Sequence, residues 1–219
     1  MSAYQPDTVA DLIHDQLRQQ IWGGALLPGD RVSIRALAQQ RGVSVIPVRD
    51  AVRRLVAEGA LCFVDSRTIE VPRMSLANHR DVLFARSQLE PELARMAFGA
   101  LTQADLDFMI ETDTVMDRAI EDHDIQLYMR TNFDFHFRIY RKAESPTLLR
   151  LAETLWLQYG PSMRYIAREY GAEPVAIDYH QHAIAALAQR DKDAFVAALR
   201  SDVTQGMDFI RKAGLGTER

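Results

Sequence analysis

The chain has a single cysteine, Cys62, so no disulfide can form within it. It has no apolar run long enough to cross a bilayer and no leader-like stretch at its start, so a cytoplasmic location without membrane contact is expected. It also lacks internal repeats and low-complexity tracts, which excludes solenoids and disordered linkers as its main architecture. Nor is there an excess of positive charge: 26 Lys and Arg stand against 30 Asp and Glu, a net charge of −4. A nucleic-acid partner is not thereby excluded, because attraction to phosphate acts locally and charge has to be counted by region. Residues 1–75 carry nine basic and eight acidic side chains, whereas 76–219 carry seventeen and twenty-two. The acidity belongs to the second part.

What is present is apolar periodicity. Of the 219 residues 47% are hydrophobic, enough to bury a core in one large domain or two small ones. Val9, Leu12, Ile13, Leu17 and Ile21 recur at helical spacing until Gly23-Gly24 stops them. Ser33 is placed to cap a short helix with Ile34, Leu37 and Ala38 inward, and Gly42 ends it. Ser44 caps a third helix; Pro47 falls in its first turn, where the missing N–H has no partner to lose. Val48, Val52, Leu55 and Val56 form its buried side. Residues 61–64 and 68–71 are short β-prone runs around Asp65-Ser66-Arg67, a two-stranded wing closed by Pro72. From about Asn78 the period is helical throughout, and six helices are expected near 78–100, 103–121, 124–142, 146–170, 174–189 and 192–212. The fold class is therefore mainly α: a winged helix-turn-helix over 1–75, then an antiparallel six-helix bundle over 76–219, a usual place for ligand and metal sites.

A short helix, a tight turn at Arg41-Gly42-Val43 and a second helix opening at Ser44 is the geometry that lays a recognition helix in the major groove. The string RVSIRALAQQRGVSVIPVRDAVRRLVAEGAL at 31–61, with IWGGALLPGD before it, resembles the GntR family of bacterial regulators, in which a PG turn leads to LA, GVS, PVR, a leucine-like heptad and EG. The resemblance covers about 65 residues and implies a homodimer on double-stranded DNA with a two-fold operator. Ile46, Arg49 and Arg53 share the helix face opposite Val48, Val52 and Leu55. Arg49 stands where the family carries a DNA-contacting arginine, Arg35 and Arg53 are further candidates or else solvated helix positions, and Ser44 can cap and touch phosphate. The wing would contribute Arg67 and Thr68. Two departures stand out: Val45-Ile46 replaces the usual Arg-Thr, and Thr68 replaces the usual glycine. Val45 and Ile46 can pack on thymine methyls, or turn back into the domain as a hydrophobic staple.

The second part resembles the FCD type of GntR effector domain, in its six-helix branch, through RSQLEPELARMA at 86–97, NFDFHFRIYRKAESPTLL at 132–149 and HAIAALAQRD at 182–191. That resemblance implies one divalent ion per chain, Zn, Ni or Mn, held by Asn132, His136, His182 and Asp202, with Asn in place of Asp and Asp in place of His. Asn132 and His136, four apart, share one helix face. His180 contends with His182, and since two residues on a helix point about 200° apart only one can face a pocket. Asp178, four before His182, is its candidate orienting partner. A satisfied core histidine is the other reading of His136. Arg86 stands where the resemblance implies an inward arginine for a small carboxylate effector; an i,i+4 pair with Glu90 is the other reading. The function expected is a ligand-responsive regulator acting as a repressor. Two alternatives are a repressor that needs no ligand and a metal-dependent enzyme using the same four residues, and the chain shows no general base or nucleophile motif for the enzyme.

Overall fold

The computed structural model describes residues 8–65, 68–166 and 177–214. Helix α1 (Val9–Trp22) opens with a capping box in which Thr8 and Asp11 satisfy each other's backbone N–H groups. Its Ile13, Leu17 and Ile21 pack with Val48, Ala51, Val52 and Leu55 of α3 (Val45–Ala57), and α2 (Ile34–Arg41) closes the unit. Between α2 and α3, Gly42 adopts φ +64° with open space around its Cα. Glycine is needed there for its conformation, not for room.

The wing differs from expectation by one strand. Arg31–Val32 (β1), Cys62–Phe63 (β2) and Ile69–Glu70 (β3) form an antiparallel sheet in the order β1-β3-β2. The extra strand follows from the turn before it: Asp30 accepts from Leu27 N–H, and Gly29 and Asp30 exchange backbone bonds with Val71. This lays Arg31–Val32 along β3. A strand of two residues has no period, so sequence pattern cannot reveal it.

The second part contains α4 (Leu76–Ala97), α5 (Gln103–Glu121), α6 (Ile125–Tyr140), α7 (Pro146–Tyr159), α8 (Tyr179–Ala188) and α9 (Lys192–Gly214). The helix expected over 146–170 breaks at Tyr159, where Gly160-Pro161 tightens the chain into a 3₁₀ turn over Gly160–Met163. The ends drawn at 170 and 174 lie outside the described residues, as do Ser66 and Arg67.

Helix α6 faces two ways. Phe133 and Phe137 stack at 4.1 Å and meet Trp156 of α7 edge-on, while Asn132 and His136 turn to a cavity on another side. Phe133 also stacks on Trp22, the last residue of α1, at 4.4 Å. Trp22 packs against both hydrophobic clusters of the chain, and Leu157 of α7 is buried in the winged unit's own cluster. An Arg18–Glu153 ion pair at 2.9 Å and a bond from Gln158 Nε2 to the Glu58 carbonyl at 3.1 Å flank this junction. Trp22→Ala should therefore cost about 2–3 kcal/mol, less than the ~3–5 of a fully buried tryptophan because Trp22 is only half-buried. Urea unfolding measures this; a loss below about 0.5 kcal/mol, the range of ordinary surface changes, would mean the stack does not join the two parts.

Candidate functional sites: an arginine-lined groove and a buried histidine cluster

A groove between α2, α3 and the wing is lined by Arg31, Arg35, Arg49 and Arg53, with Val45 and Thr68 beside them. No acidic side chain lines it among the described residues. Arg35, Arg49 and Arg53 are exposed, so four guanidinium groups share one concave face on a chain of net charge −4. Ile46 is 70% exposed and Val45 37%, so neither turns back into the core as a staple. Ser44 occupies the N-cap position but its hydroxyl makes no capping bond. Of the expected residues the structure thus gathers Arg35, Val45, Arg49, Arg53 and Thr68 in the groove, with Ser44 and Ile46 exposed at the start of α3. Arg31 escaped the sequence reading because β1 did.

The second site is built on one buried ion pair. Arg86 and Glu90, four apart on α4, are 2% and 0% exposed, and the guanidinium Nε and Nη2 both donate to the Glu90 carboxylate, the latter at 3.2 Å. Glu90 also accepts from Tyr140 Oη at 2.7 Å and Trp156 Nε1 at 3.1 Å, and Arg86 lies 3.6 Å over the Tyr159 ring. Burial pulls the Arg86 pKa down, but the Glu90 charge outweighs it and holds the guanidinium firmly protonated. The salt bridge is the i,i+4 pair that its spacing allows, though in the interior and not on a wet surface.

This pair fixes the histidine next to it. Tyr140 has one hydrogen, and it goes to Glu90, so its oxygen must accept from His136 Nδ1 at 3.1 Å. His136 therefore carries its proton on Nδ1, and Nε2 presents a bare lone pair. His180 has a carboxylate at Nδ1 too: Asp113 Oδ1, which can only accept, lies 3.3 Å away, and a neutral His180 with its proton there has Nε2 open. The two Nε2 atoms are 3.3 Å apart, with Asp202 Oδ2 3.2 Å from His136 Nε2 and Asp202 Oδ1 3.4 Å from His180 Nε2. One turn before His136, Asn132 donates to Tyr128 Oη at 3.4 Å, while its Oδ1 is buried with no partner.

Two ring nitrogens, the two Asp202 oxygens and the Asn132 oxygen thus come from residues that line one cavity of about 230 Å³. Only a cation reconciles them, and a proton on one histidine is the smallest. Burial would raise the Asp202 carboxyl, but His180, His136 and Arg86 outweigh it and bring it to about 2. His180 is pulled down by burial and lifted further by Asp202 and Asp113, so it ends above its ordinary value; His136, with burial dominant, ends below. The buried His136–His180–Asp202 group has the atoms and spacing to hold a metal ion.

The structure does not bring His182 to this group. His182 is exposed against Tyr179 on another side of α8. The helix register decides this: Ala183, Ile184 and Leu187 form the buried stripe of α8, and His180 precedes them at three-, four- and seven-residue spacing. That stripe was readable in the sequence and could have chosen His180. Asp178 caps α8 through Gln181 N–H and lies within the group of Asp113 and His180, so it serves His180's side of the helix. The Arg86 fork expected for a carboxylate is already engaged by Glu90.

An arginine-lined groove between two helices and a wing, with no acidic lining side chain among the described residues, is the layout of a DNA-binding regulator of the helix-turn-helix type, here joined to a helical bundle. The profile of the gntR family of bacterial regulatory proteins matches residues 10–71, and that of the FCD domain matches 81–205. The chain belongs to the GntR family and carries its FCD domain. It is 30% identical over 200 residues to the HTH-type transcriptional regulator McbR of Escherichia coli K12, covering 90% of each chain. It is 24% identical over 202 residues to the E. coli K12 HTH-type transcriptional repressor RspR, covering 91% of this chain and 88% of that one. A solved structure of E. coli McbR/YncC superposes with a TM-score of 0.83 at 27% identity, covering 94% of this chain and 98% of the other. These relatives are transcription regulators, not enzymes. No described helix is long and apolar enough to cross a membrane.

Removing one partner of the Arg86–Glu90 pair should be costly whatever the site binds. Glu90→Ala leaves a buried guanidinium and two unpaired donors, Tyr140 and Trp156, and should destabilise by about 3–5 kcal/mol. Chemical denaturation measures it, and a loss under about 1 kcal/mol would show that Arg86 finds water instead.

Proposed function

We propose that the chain is a homodimeric, ligand-responsive repressor that grips a two-fold operator through its arginine groove and holds one divalent ion in the bundle. The convergence of bare His136 Nε2, His180 Nε2 and Asp202 oxygens beside the unpartnered Asn132 Oδ1 carries the metal reading. A tetrahedral ion with bonds of about 2.0–2.1 Å sets neighbouring ligand atoms roughly 3.3–3.4 Å apart, close to the 3.2–3.4 Å found here. Two imidazoles, a carboxylate and an amide oxygen suit Zn, Ni or Mn better than a thiolate-seeking metal. When bound, the ion supplies a Lewis-acidic point for an oxygen ligand. A small carboxylate effector would bind there, because the Arg86 fork is taken. The domain division at 75/76 and the dimer belong to this reading; Leu76 and Phe84, 58% and 69% exposed on α4, are apolar side chains that a second copy would cover.

The ligand set is separable by mutation. Protein purified without chelator or tag should carry about one divalent ion per chain by elemental analysis, His136→Ala or His180→Ala should lose it, and His182→Ala should keep it. Wild-type protein left metal-free after dialysis against Zn, Ni and Mn would rule the site out.

On the DNA side Arg49 is the reader of a guanine edge, Arg31, Arg35 and Arg53 neutralise phosphate, and Ile46, one turn before Arg49, packs on the methyl of a neighbouring thymine. Thr68 and Arg67 of the wing and the free Ser44 hydroxyl add backbone contacts. Arg49→Ala should weaken binding to a selected operator by about 1–3 kcal/mol and relax preference at one base position. Remaking that operator with uracil for the adjacent thymine should weaken wild-type binding and spare an Ile46→Ala variant. Wild-type affinity and selectivity in folded Arg49→Ala protein would remove Arg49 from the role.

A further inference from the structure

The charges around the bundle cavity do not balance even with a divalent ion in place. Among the described residues four carboxylates line it, Asp113, Asp117, Asp178 and Asp202, against one guanidinium, Arg86, already neutralised by Glu90 behind it. A divalent ion at the histidine cluster would leave an excess of two negative charges. Asp113 is turned to His180 and accepts from Gln181, and Asp178 caps α8. Asp117 has neither a hydrogen bond nor an ion pair among the described residues, and it faces like charges: burial first, then Asp113, Asp178 and Glu121, hold its carboxyl above the usual range, with His180 opposing. The Asn132 side chain, 6% exposed, lines the same cavity, and its buried oxygen has no protein partner among the described residues. The donors around this space are the hydroxyls of Tyr128 and Tyr159, the Asn132 amide, which is turned to Tyr128, the histidine rings and the occupied Arg86; the remaining polar atoms described there are carboxylate and amide oxygens, which accept.

We infer that the small ligand of this cavity carries a cationic nitrogen, an ammonium or guanidinium group seated between Asp117 and Asp178. This rests on the reading of the cavity as an effector site and adds the chemistry of the ligand's second end. An ammonium has three donors and no acceptor, which complements a wall of acceptors, whereas a second carboxylate would meet uncompensated like charge. A zwitterion satisfies both ends, its carboxylate at the ion and its ammonium at Asp117.

Three four-carbon probes differ only in their end groups: succinate, 4-aminobutyrate and putrescine. Titrated calorimetrically into full-length protein of measured metal content, 4-aminobutyrate and putrescine should each bind at least tenfold more tightly than succinate. Asp117→Asn should weaken both amines about tenfold, change succinate little, and leave metal content and operator affinity at wild-type values. Succinate binding as tightly as either amine, amines that do not bind, or amine affinity unchanged in Asp117→Asn would each overturn the inference. Metal analysis and operator binding on the same samples report separately on the proposed function: a metal-loaded, DNA-binding protein indifferent to amines defeats only the ligand assignment, while amine selectivity in a metal-free protein sustains the assignment and defeats the metal.

Discussion

The Arg86–Glu90 pair is the interaction on which the bundle's chemistry depends. Two opposite charges taken out of water are tolerated only when their remaining hydrogen-bonding capacity is met, and here Tyr140, Trp156 and the face of Tyr159 meet it. Because those partners come from α6 and α7, the pair sets how three helices approach one another. It also sets a proton: by claiming the Tyr140 hydrogen it forces His136 into the Nδ1–H form and leaves Nε2 open. Well-packed hydrophobic replacements of buried ion pairs are often neutral in stability, but here one would leave that tautomer undetermined.

Helix α6 then links chemistry to architecture. Asn132 and His136 face the cavity, while their sequence neighbours Phe133 and Phe137 face the other way and reach Trp22 at the end of α1. Side chains one apart on a helix lie about 100° from each other, so rotation of α6 by a few degrees on ligand binding would move both faces together. A ligand acts only through a preference for one arrangement over another, and the Trp22–Phe133 stack is a contact through which such a preference can reach the DNA-reading unit. The stack sits among Arg18–Glu153 and Gln158–Glu58, polar contacts that can exchange with water at small cost.

Much of this was legible in the sequence. Apolar period, the cap Ser33, the N-cap position of Ser44 (whose hydroxyl makes no capping bond), and the glycines at 23–24 and 42 specify the three N-terminal helices, because each signal acts within a few residues. The helical character of the second part follows from apolar period, and the shared face of Asn132 and His136 from i,i+4 spacing; the same spacing offers the Arg86–Glu90 pair only as an alternative to a ligand-binding arginine. The string from Arg31 to Leu61 was enough to identify the GntR family, since the turn and cap residues it contains are those the helix-turn-helix requires.

Tertiary structure decided the rest, each time because the deciding partner is distant in sequence. Strand β1 exists only because β3, nearly forty residues on, offers it a ladder. The stripe of α8 that turns His180 inward was readable, but Asp113 of α5, which holds the His180 ring, is far off in the sequence. The Arg86 fork is closed to a ligand by burial, which turns a spacing that is ordinary on a surface into a fixed interior pair. Lone pairs from α6, α8 and α9 meet within hydrogen-bonding distance only after the bundle forms, so the demand for a cation between them is a property of the fold and not of any segment of the chain.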